Sequence, residues 1–325
     1  MSGVLSIGLW AALALLGIYA MQWGGTRASS LLGSLRARFG LPATVGGVFM
    51  GLATACPEIS VNVASVAFGW PDLGLGAALG SNVPALPLVF LISFLAARSK
   101  PAAKEGEAPH VQPDAVPVQV MPYLLIVLLL AALTLPPWWS GLQPVDGAIL
   151  VAAFGLYAWH ALRRQTRGER KPIPDGAITH ALIGLPAIAG GALASVIAAR
   201  RLTDAFGISD LIGGLFIIGL LCALPESFAA WRLTRENKTT TAVSGAVADG
   251  VVSLTLALIP PALVGAAVGN VAIYGLNLAS LVATLGLYLL FNHRFQGQDL
   301  GPGRVAVYVG AYGVYLAATV AVLTR

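Results

Sequence analysis

GLATACPE, residues 51–58, places a glutamate directly after a proline inside an otherwise apolar run. GLLCALPE, residues 219–226, does so again 168 positions later, with Gly, Leu, Ala, Pro and Glu at the same places of the eight-residue frame. An acidic side chain in such a run is tolerable in water and costly in lipid, so the surroundings of the two stretches decide what they mean.

Those surroundings are apolar almost end to end. Of 325 residues, 57% are hydrophobic and 10% charged, and mean hydropathy is +0.81; a soluble domain carries about 25% charged residues. A membrane-crossing helix needs roughly 20 mainly apolar residues. Such runs fall at 4–22, 43–68, 72–97, 121–138, 144–162, 177–198, 209–233, 240–266, 270–291 and 304–323. Residues 4–22 lack a basic leading segment and a small-x-small cleavage site, so they read as a span rather than a secretory signal. With the N-terminus outside, alternate segments place 16 of the 19 Lys and Arg residues inside, from Arg27, Arg36 and Arg38 through Arg98, the 163–171 cluster and Arg232 to Arg294 and Arg304. Only Arg200, Arg201 and Arg325 fall outside. This positive-inside bias assigns both termini to the outer side. It also accounts for the net charge of +5 without a nucleic-acid partner; the partners expected are the lipid bilayer and inorganic cations.

Residues 98–119 are polar and proline-rich and read as a flexible inner loop. The basic stretch 163–176 is a second inner loop that divides the chain into residues 1–162 and 177–325, each with five spans. Five is odd, so the second block enters the membrane from the opposite face. The fold expected is therefore an all-α polytopic membrane protein of ten transmembrane helices, arranged as two inverted five-helix repeats about a pseudo-twofold axis in the membrane plane. At the same offset of 168, GAALGSNVPALPL (76–88) falls opposite SGAVADGVVSLTL (244–256), two small-residue segments with polar residues mid-span.

Proline removes a backbone donor and clashes with the carbonyl four residues earlier, here that of Ala53 and of Leu221. Each motif helix is thus expected to break or kink beside its glutamate, freeing carbonyls as ligands. An ionised carboxylate at mid-membrane costs at least about 2.5–3.5 kcal/mol on insertion scales, which a wet cavity and a cation relieve. Two carboxylates meeting at the axis repel, and a divalent cation relieves that repulsion and expels any shared proton. Competition between ions for one carboxylate pair is a route to antiport.

With these motifs the chain resembles a compact prokaryotic member of the cation/calcium exchanger superfamily, whose two inverted repeats each carry a GTSLPE-like motif, a glycine, Pro-Asp and GSN. Here the first repeat reads GLATACPE, Gly69, Pro71-Asp72 and GSN at 80–82. The resemblance implies that Glu58 and Glu226 bind the central cation. It places Thr54 and Ser81 at hydroxyl ligand positions, with Asp249 where the second repeat's serine stands. Ala55 and Ala223 replace the motif's serine and Cys222 its second threonine, while Ala85 and Ser253 stand where Asn or Asp is usual. Asp249 restores an acidic group one helical turn away. The ligand set expected is Glu58, Glu226, Asp249, Ser81, Thr54 and Ser253, with Glu58 and Glu226 on the metal ion. Asn62, Ser65, Asn82 and Cys222 are pathway or neighbouring groups.

Asp72 reads as a helix N-cap, Asn270 and Asn277 as helix-to-helix hydrogen-bonding groups, and Trp138 and Trp139 as interfacial anchors. Cys56 and Cys222 read as buried packing residues rather than a disulfide. No H-E-x-x-H helix or G-x-S-x-G turn is present, so no enzymatic activity is expected, and no cofactor. The function expected is secondary antiport of Ca2+, or a related divalent cation, against Na+ in a prokaryotic inner membrane. Exchange against H+ and a cation channel are the alternatives. The family implies that spans 1 and 6 move across the remaining helices. The sequence leaves oligomeric state open, a monomer being sufficient.

Overall fold

The computed structural model describes residues 2–38, 51–99, 109–111, 115–139, 141–163, 176–295 and 298–324. The apolar runs fold as helices α1 (Ser2–Arg38), α2 (Cys56–Ala67), α3 (Pro71–Arg98), α4 (Ala115–Thr134) and α5 (Pro144–Arg163). After the second basic stretch come α6 (Ala177–Phe206), α7 (Asp210–Arg235), α8 (Thr239–Ser253), α9 (Val271–Phe295) and α10 (Pro302–Leu323). Short helical turns at Pro137–Trp139, Leu256–Leu258 and Ile259–Leu263 complete the described helical structure outside residues 51–54. Seven of these segments are long and apolar enough to cross a membrane. Of the other three expected spans, 43–68 is described only from residue 51, 121–138 yields the shorter apolar helix Val120–Thr134, and 144–162 forms α5. Leu9, Leu16, Phe228 and Val314 are among many large apolar side chains left exposed, as a lipid-facing surface requires. The chain is an integral membrane protein.

α1 outruns its expected span of 4–22. At 1.5 Å per residue its 37 residues extend about 55 Å, well beyond a hydrocarbon core of about 30 Å. Arg27 and Arg38, expected in a loop, are helical. Arg27 lays its guanidinium 3.4 Å from the Trp23 ring centre, one turn back, so the basic end of the helix covers its own aromatic surface. Of the inner loops expected at 98–119 and 163–176, residues 100–108, 112–114 and 164–175 lie outside the described residues, whereas 110–111 form a strand and 115–119 already belong to α4, so the first loop is shorter than its polar composition implied.

Two loop contacts test the alternation of sides. His110–Val111 pairs antiparallel with Gln298–Asp299, and Leu300 N–H donates to Pro109 O at 2.9 Å; both segments were assigned to the inner side. Leu142 N–H donates to Ala266 O at 2.8 Å, joining two segments assigned to the outer side. Residues expected on one face do meet there.

Glycines set how closely the central helices approach. A Cβ on Gly51 would lie 2.6 Å from Ala248 O, and one on Gly219 would lie 2.6 Å from Gly80 Cα. Gly51 and Gly219, like Gly80 and Ala248, are 168 residues apart, so these are one contact made twice with the two halves exchanged. The α1–α6 pair repeats the pattern. A Cβ on Gly17 would meet Gly191 O at 2.7 Å and one on Gly184 would meet Gly24 O at 2.6 Å, with Gly17 and Gly184, and Gly24 and Gly191, each 167 apart. Reciprocal contacts of this kind are the mark of a twofold interface, and small residues allow the backbones to touch. Substituting Gly24→Val is expected to destabilise the protein by about 1–3 kcal/mol through overpacking. Gly8→Val, where nothing lies within 4 Å of the new Cβ, should change stability by no more than about 0.5 kcal/mol. Thermal unfolding in detergent reads the difference.

Candidate functional site

The two Pro-Glu motifs arrive at the centre of the bundle by different routes. In the first, the helix over 51–54 bends at Ala55 and restarts as α2 at Cys56, with Pro57 in its opening turn and Glu58 among its first residues. Proline suits a helix start, where its missing N–H is not needed, and the half-helix N-terminus favours a carboxylate there. In the second, the expected break at Pro225 does not occur. The helix runs from Gly219 to Arg235 with Pro225 inside it, preceded by a π-helical stretch over Gly214–Ile218. That stretch lies against α3, where Cβ atoms on Gly76, Gly80 and Gly214 would strike neighbouring backbone. The irregularity is relocated about two turns upstream, as a π-bulge where the helices press together.

Glu58 and Asp249 are buried and Glu226 is partly buried. Glu58 faces Asp249 electrostatically, and Glu226 faces both. The Asp249 carboxyl contacts Glu226, Thr54 and Ser253, the Ser253 hydroxyl standing 3.4 Å from its Oδ2. The Thr54 hydroxyl lies between that carboxyl and the Gly51 carbonyl, 3.2 Å away. One oxygen on each acid, Glu58 Oε2, Glu226 Oε1 and Asp249 Oδ1, is buried without a hydrogen-bond partner. Among the described residues the ion pairs join Arg200 to Asp204 and Asp210, and Lys238 to Glu236; none reaches these acids. Buried carboxylates without a cationic side chain need a positive charge from elsewhere. Among the described residues no three His, Cys, Asp or Glu side chains are grouped tightly enough to hold a metal ion by themselves, so hydroxyl and carbonyl oxygens would have to complete any coordination shell. The donor set is all oxygen on its charged members, which suits hard cations.

The other expected residues divide. Ser81 donates to Ala78 O at 3.2 Å and Asn82 Nδ2 to the same carbonyl at 2.5 Å. Asn62 donates to Glu58 O at 2.9 Å, leaving its Oδ1 and the Ser65 hydroxyl buried and unpartnered on the helix beyond the glutamate. Cys222 is buried within electrostatic reach of all three acids, and both cysteines are free thiols. Asp72 is not the N-cap: Trp70 holds that position, makes no side-chain capping bond, and Asp72 sits in the first turn behind Pro71. Asn277 does bridge helices, donating to Tyr315 OH at 3.2 Å, whereas Asn270 accepts from Ile273 N–H at 3.0 Å and caps α9 locally. Trp139 donates to Asp146 and Trp138 is exposed.

Sequence reasoning missed Tyr123. It is buried, donates its hydroxyl proton to Asn82 Oδ1 at 2.6 Å, and faces Asp249 and Glu226. No motif marks it within the apolar run 121–138.

The profile of the sodium/calcium exchanger protein family matches residues 9–163. The chain is 23% identical to an uncharacterized membrane protein of Methanocaldococcus jannaschii over 82% of this chain and 84% of that protein. It is 24% identical to the inner membrane protein YrbG of Escherichia coli K12 over 94% and 95% of the two chains. Among solved structures, the sodium-calcium exchanger NCX_Mj, soaked with 2.5 mM Na+ and 0.1 mM Sr2+, superposes with a TM-score of 0.67 at 20% identity, covering 96% of this chain and 99% of that one. At that identity the likeness is one of fold.

Proposed function

Because the chain resembles the cation/calcium exchanger superfamily in sequence over its first half and in fold throughout, we propose that it exchanges Ca2+, or a related divalent cation, against Na+ at a site built from Glu58, Glu226 and Asp249. It is a cation antiporter, not an enzyme. The observation that carries the reading is the convergence of three carboxylates, each with a buried unpartnered oxygen, where no basic side chain among the described residues answers them. A divalent cation neutralises two of the three charges. A proton in the Glu226–Asp249 contact or a monovalent cation neutralises the third. Thr54, Ser81 and Ser253 supply neutral oxygens, and calcium's six to eight ligands are completed by carbonyls near the two prolines and by water. The reciprocal glycine contacts support ten spans in two inverted five-helix repeats, 1–162 and 177–325. Movement of α1 and α6 as a pair then exposes the site to each face in turn. Both termini lie outside and the membrane is a prokaryotic inner membrane in this reading.

Proton coupling is a second reading, favoured by buried Ala55, Ala223 and Ala85 at places where the family carries ligands. Tracer uptake into proteoliposomes under imposed sodium or proton gradients decides between them. Calcium uptake driven by an outward sodium gradient, and unmoved by a pH gradient, is the expected result. A channel would instead give single-channel currents without a counter-ion. Ligating carboxylates must be deprotonated, so protons compete with the cation. At equal gradients the half-saturating calcium concentration should rise as pH falls, and a concentration unchanged across that range would contradict a carboxylate site.

A further inference from the structure

Asn82 and Gly250 are 168 residues apart and occupy equivalent places, each directly after a candidate ligand, Ser81 and Asp249. The first copy therefore brings a carboxamide to the centre where the second brings no side chain. The space is not empty. A Cβ on Gly250 would meet Asn82 Oδ1 at 2.7 Å and would strike the ring end of Tyr123 more closely still. α3, α4 and α8 thus meet at one point, with the phenol laid over Gly250.

The hydrogen bonds there fix one orientation. The Asn82 amide nitrogen donates to Ala78 O and lies 3.5 Å from Ser81 Oγ, and its one acceptor oxygen takes the Tyr123 proton. A carboxamide held at both ends cannot flip. Having given its proton to Asn82, the phenol oxygen keeps acceptor capacity, and it lies within electrostatic reach of Asp249 and Glu226. We propose that Tyr123, from a helix carrying none of the repeated motif, is a specificity-determining residue of the cation site, anchoring Asn82 and filling the place that Gly250 leaves vacant. It is a positioning residue, acting through Asn82 on the ligand oxygens beside it. The inference rests on the three-carboxylate site proposed above and adds to it an element that breaks its twofold symmetry.

The test is uptake of calcium, manganese and magnesium into sodium-loaded proteoliposomes by the parent chain and by Tyr123→Phe, Tyr157→Phe and Glu226→Gln. Tyr123→Phe keeps the ring over Gly250 and removes only the hydroxyl. The half-saturating calcium concentration should rise about tenfold, about what an unsatisfied buried amide costs, and discrimination among the three ions should change. Its maximal rate should stay within about twofold, and its melting temperature should fall by no more than a few degrees, the orphaned amide oxygen costing about 1–3 kcal/mol of stability. Tyr157→Phe, a buried phenol in α5 outside the site, should behave as the parent. Should Tyr123→Phe fail to insert, Asn82→Ala removes the same bond from its other end and must give the same shift. Parental half-saturation and ion order in the variant read, with Glu226→Gln inactive, would overturn the role of Tyr123 alone. Full exchange by Glu226→Gln, or a parent that moves none of the three ions, would overturn the site itself.

Discussion

Glu226→Gln is expected to lower cation exchange at least a hundredfold while leaving the protein folded and inserted. Glutamine fits the same volume, and Pro225 and the helix around it are untouched. What changes is charge. Removing one partner of a buried ionic contact costs about 3–5 kcal/mol, and each 1.4 kcal/mol is a factor of ten. The same substitution removes one of three mutually repelling acids that no basic side chain among the described residues balances. In cation-free detergent the variant should therefore melt no lower than the parent. Added calcium should raise the parent's melting temperature by mass action and leave the variant's unchanged. Transport, thermal shift with calcium and thermal shift without it together separate a lost ligand from a lost fold; a variant that merely unfolds fails the last.

The second large effect concerns where the third acid stands. Asp249 and Ser253 lie one turn apart on α8, both buried, with the Ser253 hydroxyl 3.4 Å from the Asp249 carboxyl. Asp249→Ser alone should reduce exchange at least tenfold, because it deletes the acid that contacts both Thr54 and Glu226. Adding Ser253→Asp returns the charge about 6 Å further along the helix, four residues at 1.5 Å each, to the position the family resemblance assigns to an acid. The double variant should recover exchange and reorder the preference among calcium, manganese and sodium. Uptake that stays lost in the double variant would mean that charge count is not what Asp249 contributes. Uptake that survives in Asp249→Ser would remove it from the site.

Much of this was legible before any coordinates. Glu58 and Glu226 announce themselves because a Pro-Glu pair in an apolar run repeats at one offset, and the alternation of Lys and Arg orders the sides that the 110–299 and 142–266 contacts then join. Asp249 follows from the same offset. What stayed hidden has physical causes. Proline predicts strain but not where the helix relieves it: α2 restarts at its proline, whereas α7 carries Pro225 within a continuous helix and places the irregularity at Gly214–Ile218. The reach of α1 to Arg38 was obscured because hydropathy marks where lipid ends, not where helix ends. Tyr123 lies in a run with no local pattern, and only the missing side chain at Gly250, met from another helix, gives it a reason to be there. The reciprocity of Gly51 with Ala248 and of Gly219 with Gly80 shows in the sequence only as glycines and an alanine among many small residues.

On the proposed mechanism Glu58 and Glu226 grip one cation between them. Anomalous diffraction from crystals soaked in manganese, recorded for the parent chain and for Glu226→Gln, tests it most directly. A single strong peak is expected in the parent, bounded by the Glu58 and Glu226 carboxylates with Asp249 beside it, and no such peak in the variant. A peak elsewhere, or one that persists between those helices after Glu226 is neutralised, would contradict it.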